Sequence, residues 1–154
     1  MSRRTARVHV LNLIFQIPFH PEWDESMLNE NISLYIEYIP DLKEHISSKP
    51  PNSADCSFII KEVTGIFTNL SEIDGLITKN LKDWELNRIA KIDLALLRLA
   101  VYEMVYEDDI STATSINESV ELSKKYGADE SPPFINGILG QAALQIEKVE
   151  LHNG

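Results

Sequence analysis

The stretch INESVELSKKYGADESPPFINGIL, from Ile116 to Leu139, says most about the fold of this chain. Apolar residues recur at intervals of three and four on both sides of its polar centre, which is the pattern of two helices joined by a short loop. Gly127 suits the end of the first helix, and Ser131 followed by Pro132 suits an N-cap with a proline in the first turn. The segment therefore predicts two consecutive helices set at an angle.

The same periodicity runs through nearly the whole chain, and no alternating strand pattern persists. It predicts an all-α fold of about seven helices, near residues 3–17, 26–46, 53–70, 72–82, 86–107, 113–126 and 132–148. Pro18 and Pro21 should end the first helix, and Pro40 should kink or split the second. Asn52 and Ser53, after two prolines, suit an N-cap. Ser71 with Asp74 resembles a weak capping arrangement.

The composition indicates one globular domain, and the sequence does not have the features of a secreted or membrane protein. The chain has 154 residues, of which 44% are hydrophobic, and we expect a single domain with helical halves at about 1–80 and 81–150. We expect the lone cysteine, Cys56, to be a core residue, and a single cysteine cannot form an internal disulfide. Polar residues interrupt the apolar run after the first arginines, so neither a signal peptide nor a membrane span is predicted. These features favour the cytoplasm.

Positive charge is concentrated at the N-terminus. The net charge is −10, yet residues 1–21 contain three arginines and no acid, whereas residues 22–44 contain seven acids and one lysine. A broad nucleic-acid-binding face is therefore disfavoured, and any contact with nucleic acid should be local and assisted by a partner.

The arginines lie at the start of the first predicted helix. At 100° per residue, Arg3 and Arg7 share one side and Arg4 lies on the neighbouring flank. A separate apolar stripe can enter the core and leave these cations free to bind phosphate, aided by the helix N-terminus. Phe15 lies on the arginine side, where it could stack on a base. The alternatives are a solvated basic terminus and a core position for Phe15.

Two further segments combine apolar periodicity with charge. In RIAKIDLALLRLAVYEM, from Arg88 to Met104, Asp93 and Arg98 interrupt the core positions. In the segment that opened this section, Glu121 and Lys125 have the spacing of a helical ion pair. Asn117, which follows Ile116 in this helical pattern, predicts a structural hydrogen bond to a neighbouring loop.

Together, RRTAR at residues 3–7, the segment 88–104 and the segment 116–139 resemble the NusB transcription antitermination factor family. The resemblance covers nearly the whole chain in layout, but residues 22–80 match in pattern only. It implies a NusB-like helical bundle with two packed halves. It also implies an ion pair or a turn cap inside the bundle for Glu103 with Arg98, close packing at Gly137 and a loop-fixing role for Asn136.

The resemblance further implies which residues bind. Members of the family contact RNA through an arginine-rich N-terminus and through the loop before an aromatic residue that matches Phe134. A family acidic residue that matches Asp93 docks the small ribosomal subunit protein NusE. The expected RNA-binding residues are Arg3, Arg4, Arg7, Phe15, Lys124, Tyr126 and Phe134. The expected partner-binding residue is Asp93. Tyr126 and Phe134 could equally be core residues.

The implied function is joint binding of a boxA-type single-stranded RNA with NusE. This complex, with other Nus factors and RNA polymerase, prevents early termination in ribosomal RNA operons. The chain departs from the family pattern at Thr5, where an arginine is common, at Glu130, where aspartate is common, and at Pro132 and Pro133, where His or Lys occurs. These changes predict weaker RNA binding and a stiffer loop.

Nothing in the sequence predicts catalysis, a metal site or a cofactor. The four histidines are scattered, and no glycine-rich phosphate loop is present.

Two alternative functions are open. One is a stand-alone relative of the RNA-binding domain of RNA cytosine methyltransferases, which the end at Gly154 disfavours because no catalytic domain fits. The other is a protein-interaction module or homodimer in which the arginines are idle.

Overall fold

A computed structural model describes residues 1–42, 51–82 and 85–153, with side chains as far as residue 146. These residues form seven α-helices, and none of them lies in a strand. The helices are α1 (Arg3–Phe15), α2 (Glu25–Tyr38), α3 (Ser53–Thr68), α4 (Leu70–Lys79), α5 (Lys91–Tyr106), α6 (Thr112–Tyr126) and α7 (Ser131–Asn153). The all-α prediction is confirmed.

The chain divides into two compact units, Met1–Thr68 and Asn69–Gly154. The boundary therefore follows α3, whereas the sequence suggested one near residue 80. In the part of the chain with assigned positions, no helix is long and apolar enough to cross a membrane.

In the first unit, α3 packs against both α1 and α2. The end of α1 runs into a 3₁₀ turn at Ile17–Phe19 that contains Pro18, as the proline predicted. Likewise α2 stops at Tyr38 and a 3₁₀ turn, Ile39–Asp41, accommodates Pro40. The predicted continuation to residue 46 falls largely outside the described residues.

The start of α3 is capped in both directions. The side chain of Asn52 accepts a hydrogen bond from the Asp55 amide at 2.8 Å, and the Asp55 carboxylate accepts one from the Asn52 amide at 3.0 Å. This reciprocal arrangement satisfies two amides that a helix N-terminus otherwise leaves unpaired. The N-cap predicted after the two prolines is confirmed.

In the second unit, α5 is the central helix: α4, α6 and α7 all pack against it. Every residue from Asp93 to Met104 is buried. Of the two roles expected for Glu103, the ion pair with Arg98 was wrong, because Arg98 donates two hydrogen bonds of 2.9 Å to the carboxylate of Asp74 on α4. Glu103 instead accepts a hydrogen bond from the Ser115 hydroxyl at 2.9 Å. Because Asp74 pairs across helices, the expected cap with Ser71 is also absent, and α4 begins at Leu70.

The start of α5 also differs from the prediction. Residues Leu86–Arg88 form a 3₁₀ turn, and Ile89 and Ala90 are extended before α5 begins at Lys91. The apolar spacing of this segment imitated a helix from residue 86. Because the turn changes the chain direction, it brings Arg88 and Ile89 beside the first turn of α5.

The loop between α6 and α7 is held by close contact. A side chain on Gly127 would place its Cβ 2.7 Å from the Cβ of Ser131, so only glycine fits. The Ser131 hydroxyl accepts a hydrogen bond from the Ala128 amide at 3.0 Å, which ties the start of α7 to the loop that precedes it. The predicted role of Gly137 in close packing was wrong, because nothing lies within 4 Å of the Cβ position. Asn136 lies within α7 and is exposed.

Candidate RNA and protein interface

The first turn of α1 presents cations at a capped helix N-terminus. The Ser2 side chain accepts a hydrogen bond from the Thr5 amide at 3.1 Å, which starts the helix. Arg3 and Arg4 are exposed, and the Arg3 guanidinium lies 4.1 Å from the centre of the Phe58 ring. That cation–π contact holds the guanidinium without neutralising its charge. The first turn therefore offers positive charge to an anion.

Arg7 does not belong to this exposed group. Only 5% of its surface is accessible, so the expectation that all three arginines point away from the core was wrong. The cause is that α1 is buried on nearly all sides from Ala6 to Ile14. Of the three arginines, Arg3 and Arg4 are the ones that the structure exposes.

Phe15, at the end of α1, is half-buried and packs against Phe19, with ring centres 5.5 Å apart. Phe19 is exposed. The outer aromatic surface at this end of α1 therefore comes from Phe19, which the helical pattern did not single out because it follows Pro18.

The end of α6 carries the second group of candidate residues. Lys124 pairs with Glu121 at 2.8 Å, so the predicted pairing of Glu121 with Lys125 was wrong. Lys125 instead places its ammonium 5.2 Å from the centre of the Tyr126 ring, and that ring is half-buried. Asn117 is exposed, so its amide does not require the structural hydrogen bond that was expected for it.

Phe134 and Asp93 lie in the same hollow of the second unit. The hollow has a volume of about 270 Å³ and is lined by Arg88, Ile89, Ala90, Asp93, Glu130 and Phe134. The extended residues before α5 form one part of its lining, and the first turn of α7 with the residue before it forms another. The structure thus joins a residue expected to bind RNA with one expected to bind protein.

The carboxylate of Asp93 is the unusual group in this hollow. Asp93 is 8% exposed, and within the described residues its buried Oδ1 has no hydrogen-bond partner. Asp93 lies in the first turn of α5, where the unpaired amides of the helix favour negative charge. A buried acceptor without a donor costs about 1–3 kcal/mol, so a ligand that brings an N–H group to Asp93 recovers that cost.

The charges in the hollow limit what it can hold. Asp93 and Glu130 contribute two carboxylates, and Arg88 contributes one cation. A phosphate would be repelled by this balance, whereas an amino group, a guanidinium or the N–H edge of a base would be attracted. Phe134 adds a ring on which a flat group can stack. Sequence reasoning did not assign Arg88 and Glu130 to the site, although both flank predicted site residues in the chain.

In the ranges the structure describes, no group of three or more His, Cys, Asp or Glu side chains could hold a metal ion.

Comparison with known proteins identifies the family of this chain. The pattern of the NusB family matches residues 4–144. The transcription antitermination protein NusB of Acetivibrio thermocellus is 43% identical over 92% of this chain and 88% of that protein. The protein of the same name from Agathobacter rectalis is 41% identical over 93% of this chain and 100% of that protein.

Solved structures agree with this. Thermotoga maritima NusB has a TM-score of 0.75 and is 35% identical to this chain, and the alignment covers 93% of this chain and 91% of that chain. A structure described as antitermination factors NusB and NusE in complex with double-stranded RNA shares the fold, with a TM-score of 0.73 and 22% identity over 93% of this chain and 96% of that chain. A family pattern that spans most of the chain and relatives aligned nearly end to end lead to one conclusion: this chain belongs to the NusB family.

Proposed function

We propose that this protein is a transcription antitermination factor that binds a boxA-type single-stranded RNA jointly with NusE. It acts in the cytoplasm, in a complex with other Nus factors and RNA polymerase, and it is not an enzyme. The observation that carries the proposal is the hollow that brings Phe134 beside Asp93 in a member of the NusB family. The names of the relatives supply the antitermination role.

The RNA phosphates bind at the first turn of α1. Arg3 and Arg4 supply exposed cations there, and the helix N-terminus favours anions. Lys124 and Tyr126, at the end of α6, add a second contact. Two neutralised phosphates correspond to a log–log salt slope of about −1.4 on single-stranded RNA. With a net charge of −10, the protein alone binds RNA weakly, and docking of the basic partner supplies positive charge.

The hollow of the second unit binds a base and the partner. A base stacks on Phe134, while the unpaired Oδ1 of Asp93 accepts a hydrogen bond from NusE.

Fluorescence anisotropy with a labelled boxA-like RNA and a scrambled RNA, with and without NusE, tests the proposal at two salt concentrations. We expect selective binding that tightens when NusE is present. Equal affinity for the two RNAs in the presence of NusE would refute RNA recognition and leave a protein-docking module. Sedimentation of the free protein at several concentrations separates this outcome from a homodimer.

Three variants assign the roles. Arg3→Ala with Arg4→Ala should reduce the salt slope by about 1.4, whereas Lys79→Ala with Lys82→Ala, which removes the same charge from and just after α4, should not. Phe134→Ala should weaken boxA binding by about 1–3 kcal/mol, the usual value of one stacked base.

Asp93→Lys should weaken NusE binding at least tenfold and weaken binding of RNA alone to a smaller extent, since it places a cation where a donor docks. Equal loss of both activities would remove the distinction between the two ligands.

A further inference from the structure

A second feature of the surface lies on α2, in the first unit. Three large apolar side chains of this helix are exposed: Met27 (42% accessible), Leu34 (54%) and Tyr38 (61%). With about 100° per residue, they fall within about 40° of one another and form one stripe. The buried residues of the same helix, Leu28 and Ile32, lie about 100° and 140° away from Met27. The stripe is therefore a second apolar face, distinct from the face that packs in the unit.

We propose that this α2 stripe docks a basic amphipathic helix of a protein partner. The proposal is independent of the RNA and NusE functions, because no residue of the stripe belongs to the first turn of α1 or to the hollow beside Asp93. The three side chains extend along α2 for about 16 Å, the length of three helical turns. A helix that presents apolar residues at intervals of three and four covers such a stripe.

Charge complementarity identifies the partner as basic. From Val8 to Leu42 the chain contains six acidic residues and no lysine or arginine. Glu30 and Glu37 flank the stripe, two turns apart, and no cation pairs with either within the described chain. Lysines or arginines two turns apart on an incoming helix would meet both carboxylates.

The same charges disfavour other occupants. Nucleic acid and anionic membranes would be repelled by a segment that has acids and no fixed cation. A second copy of this chain, paired symmetrically through α2, would place Glu30 and Glu37 near their own equivalents, which costs free energy. A cationic protein segment is the occupant that both the apolar stripe and its acidic border accept.

The test uses three labelled peptides of about 18 residues, long enough to form a helix on binding. The first has a leucine stripe flanked by lysines, the second replaces each lysine with glutamate, and the third scrambles the order of the first. Wild-type protein should bind the lysine peptide at least tenfold more tightly than either other peptide. Binding of the scrambled peptide with equal affinity would overturn the proposal, because general attraction to an acidic protein would explain it.

Variants locate the binding surface. Leu34→Glu should weaken the lysine peptide at least tenfold, whereas Val105→Glu, at another exposed apolar side chain, should change it less than twofold. Glu30→Lys with Glu37→Lys should reverse the preference toward the glutamate peptide. All three residues substituted on α2 are exposed, so helical content should be retained in each variant and is checked by circular dichroism.

Two results would contradict the proposal. One is an unchanged affinity in Leu34→Glu, and the other is an equal loss in Val105→Glu. The Leu34→Glu variant should also bind NusE and boxA RNA as wild type does. Loss of that binding would assign the α2 stripe to the proposed antitermination site and overturn the proposal that it is a separate surface. A failed peptide test with intact RNA binding would overturn only the α2 proposal and leave the antitermination function untouched.

Discussion

Replacement of Asp74 by alanine should destabilise the second unit strongly, because it isolates a buried cation. The side chain of Arg98 is 8% exposed, and its two hydrogen bonds of 2.9 Å both end on Asp74. Removal of one partner of a buried ion pair costs about 3–5 kcal/mol. The Asp74 side chain is 21% exposed, so water can partly replace the carboxylate, and we expect about 3 kcal/mol.

A double-mutant cycle separates this cost from the loss of packing. Arg98→Met in the Asp74→Ala background removes the isolated charge and keeps most of the volume, so the double variant should recover about 2 kcal/mol of the loss. Urea unfolding followed by circular dichroism measures the free energy of unfolding of the wild type, the Asp74→Ala variant, the Arg98→Met variant and the double variant. Asp109→Ala, an exposed aspartate in the same unit, is the matched control and should change the free energy of unfolding by less than about 0.5 kcal/mol.

The reasoning would be refuted if Asp74→Ala cost less than about 1 kcal/mol or if the double variant were no more stable than the single one. The first result would mean that solvent reaches Arg98 easily. The second would mean that apolar packing, rather than charge, explains the loss.

Other predictions concern local contacts. Gly127→Ala should lower the free energy of unfolding by about 1–3 kcal/mol, measured in urea, because its Cβ would lie 2.7 Å from that of Ser131. Asn52→Ala should cost about 1 kcal/mol by removing the cap of α3, and Asn52→Ser should restore most of it. A hydrogen bond to Glu72 raises the pKa of Tyr106 to about 12, so Glu72→Gln should return it toward 10 in an ultraviolet titration. Since this pKa is raised on folding, its contribution to stability is present below pH 10 and is lost between pH 10 and about 12.

Features set by local chemistry were predictable from the sequence. The prolines marked the ends of α1 and α2, and Gly127 marked the end of α6, because these residues act through their own backbone. The partner of Arg98 was not predictable. Glu103 lies on the same helix and invited a local pairing, whereas Asp74 comes from a different helix. Apolar spacing likewise did not reveal that α5 begins only at Lys91.

The candidate site shows the same limit. Phe134 and Asp93 could each be proposed from the family resemblance, but they lie on different helices, so the hollow that joins them needed the fold. The burial of Arg7 could not be predicted from a helical wheel. A wheel separates two faces, and α1 is surrounded on most sides beyond its first turn.

The buried face of α6 has a consequence for the presentation of Tyr126. Serines at positions 115, 119 and 123 are buried along α6, and two of them donate hydrogen bonds to α5, from Ser115 to Glu103 and from Ser119 to the Leu96 carbonyl. Small side chains interlock little along the helix axis, whereas each of these hydrogen bonds joins α6 to one fixed acceptor on α5. These two hydrogen bonds therefore help to fix the axial position of α6, together with the buried Leu122, and with it the position of the Tyr126 ring at the end of the helix.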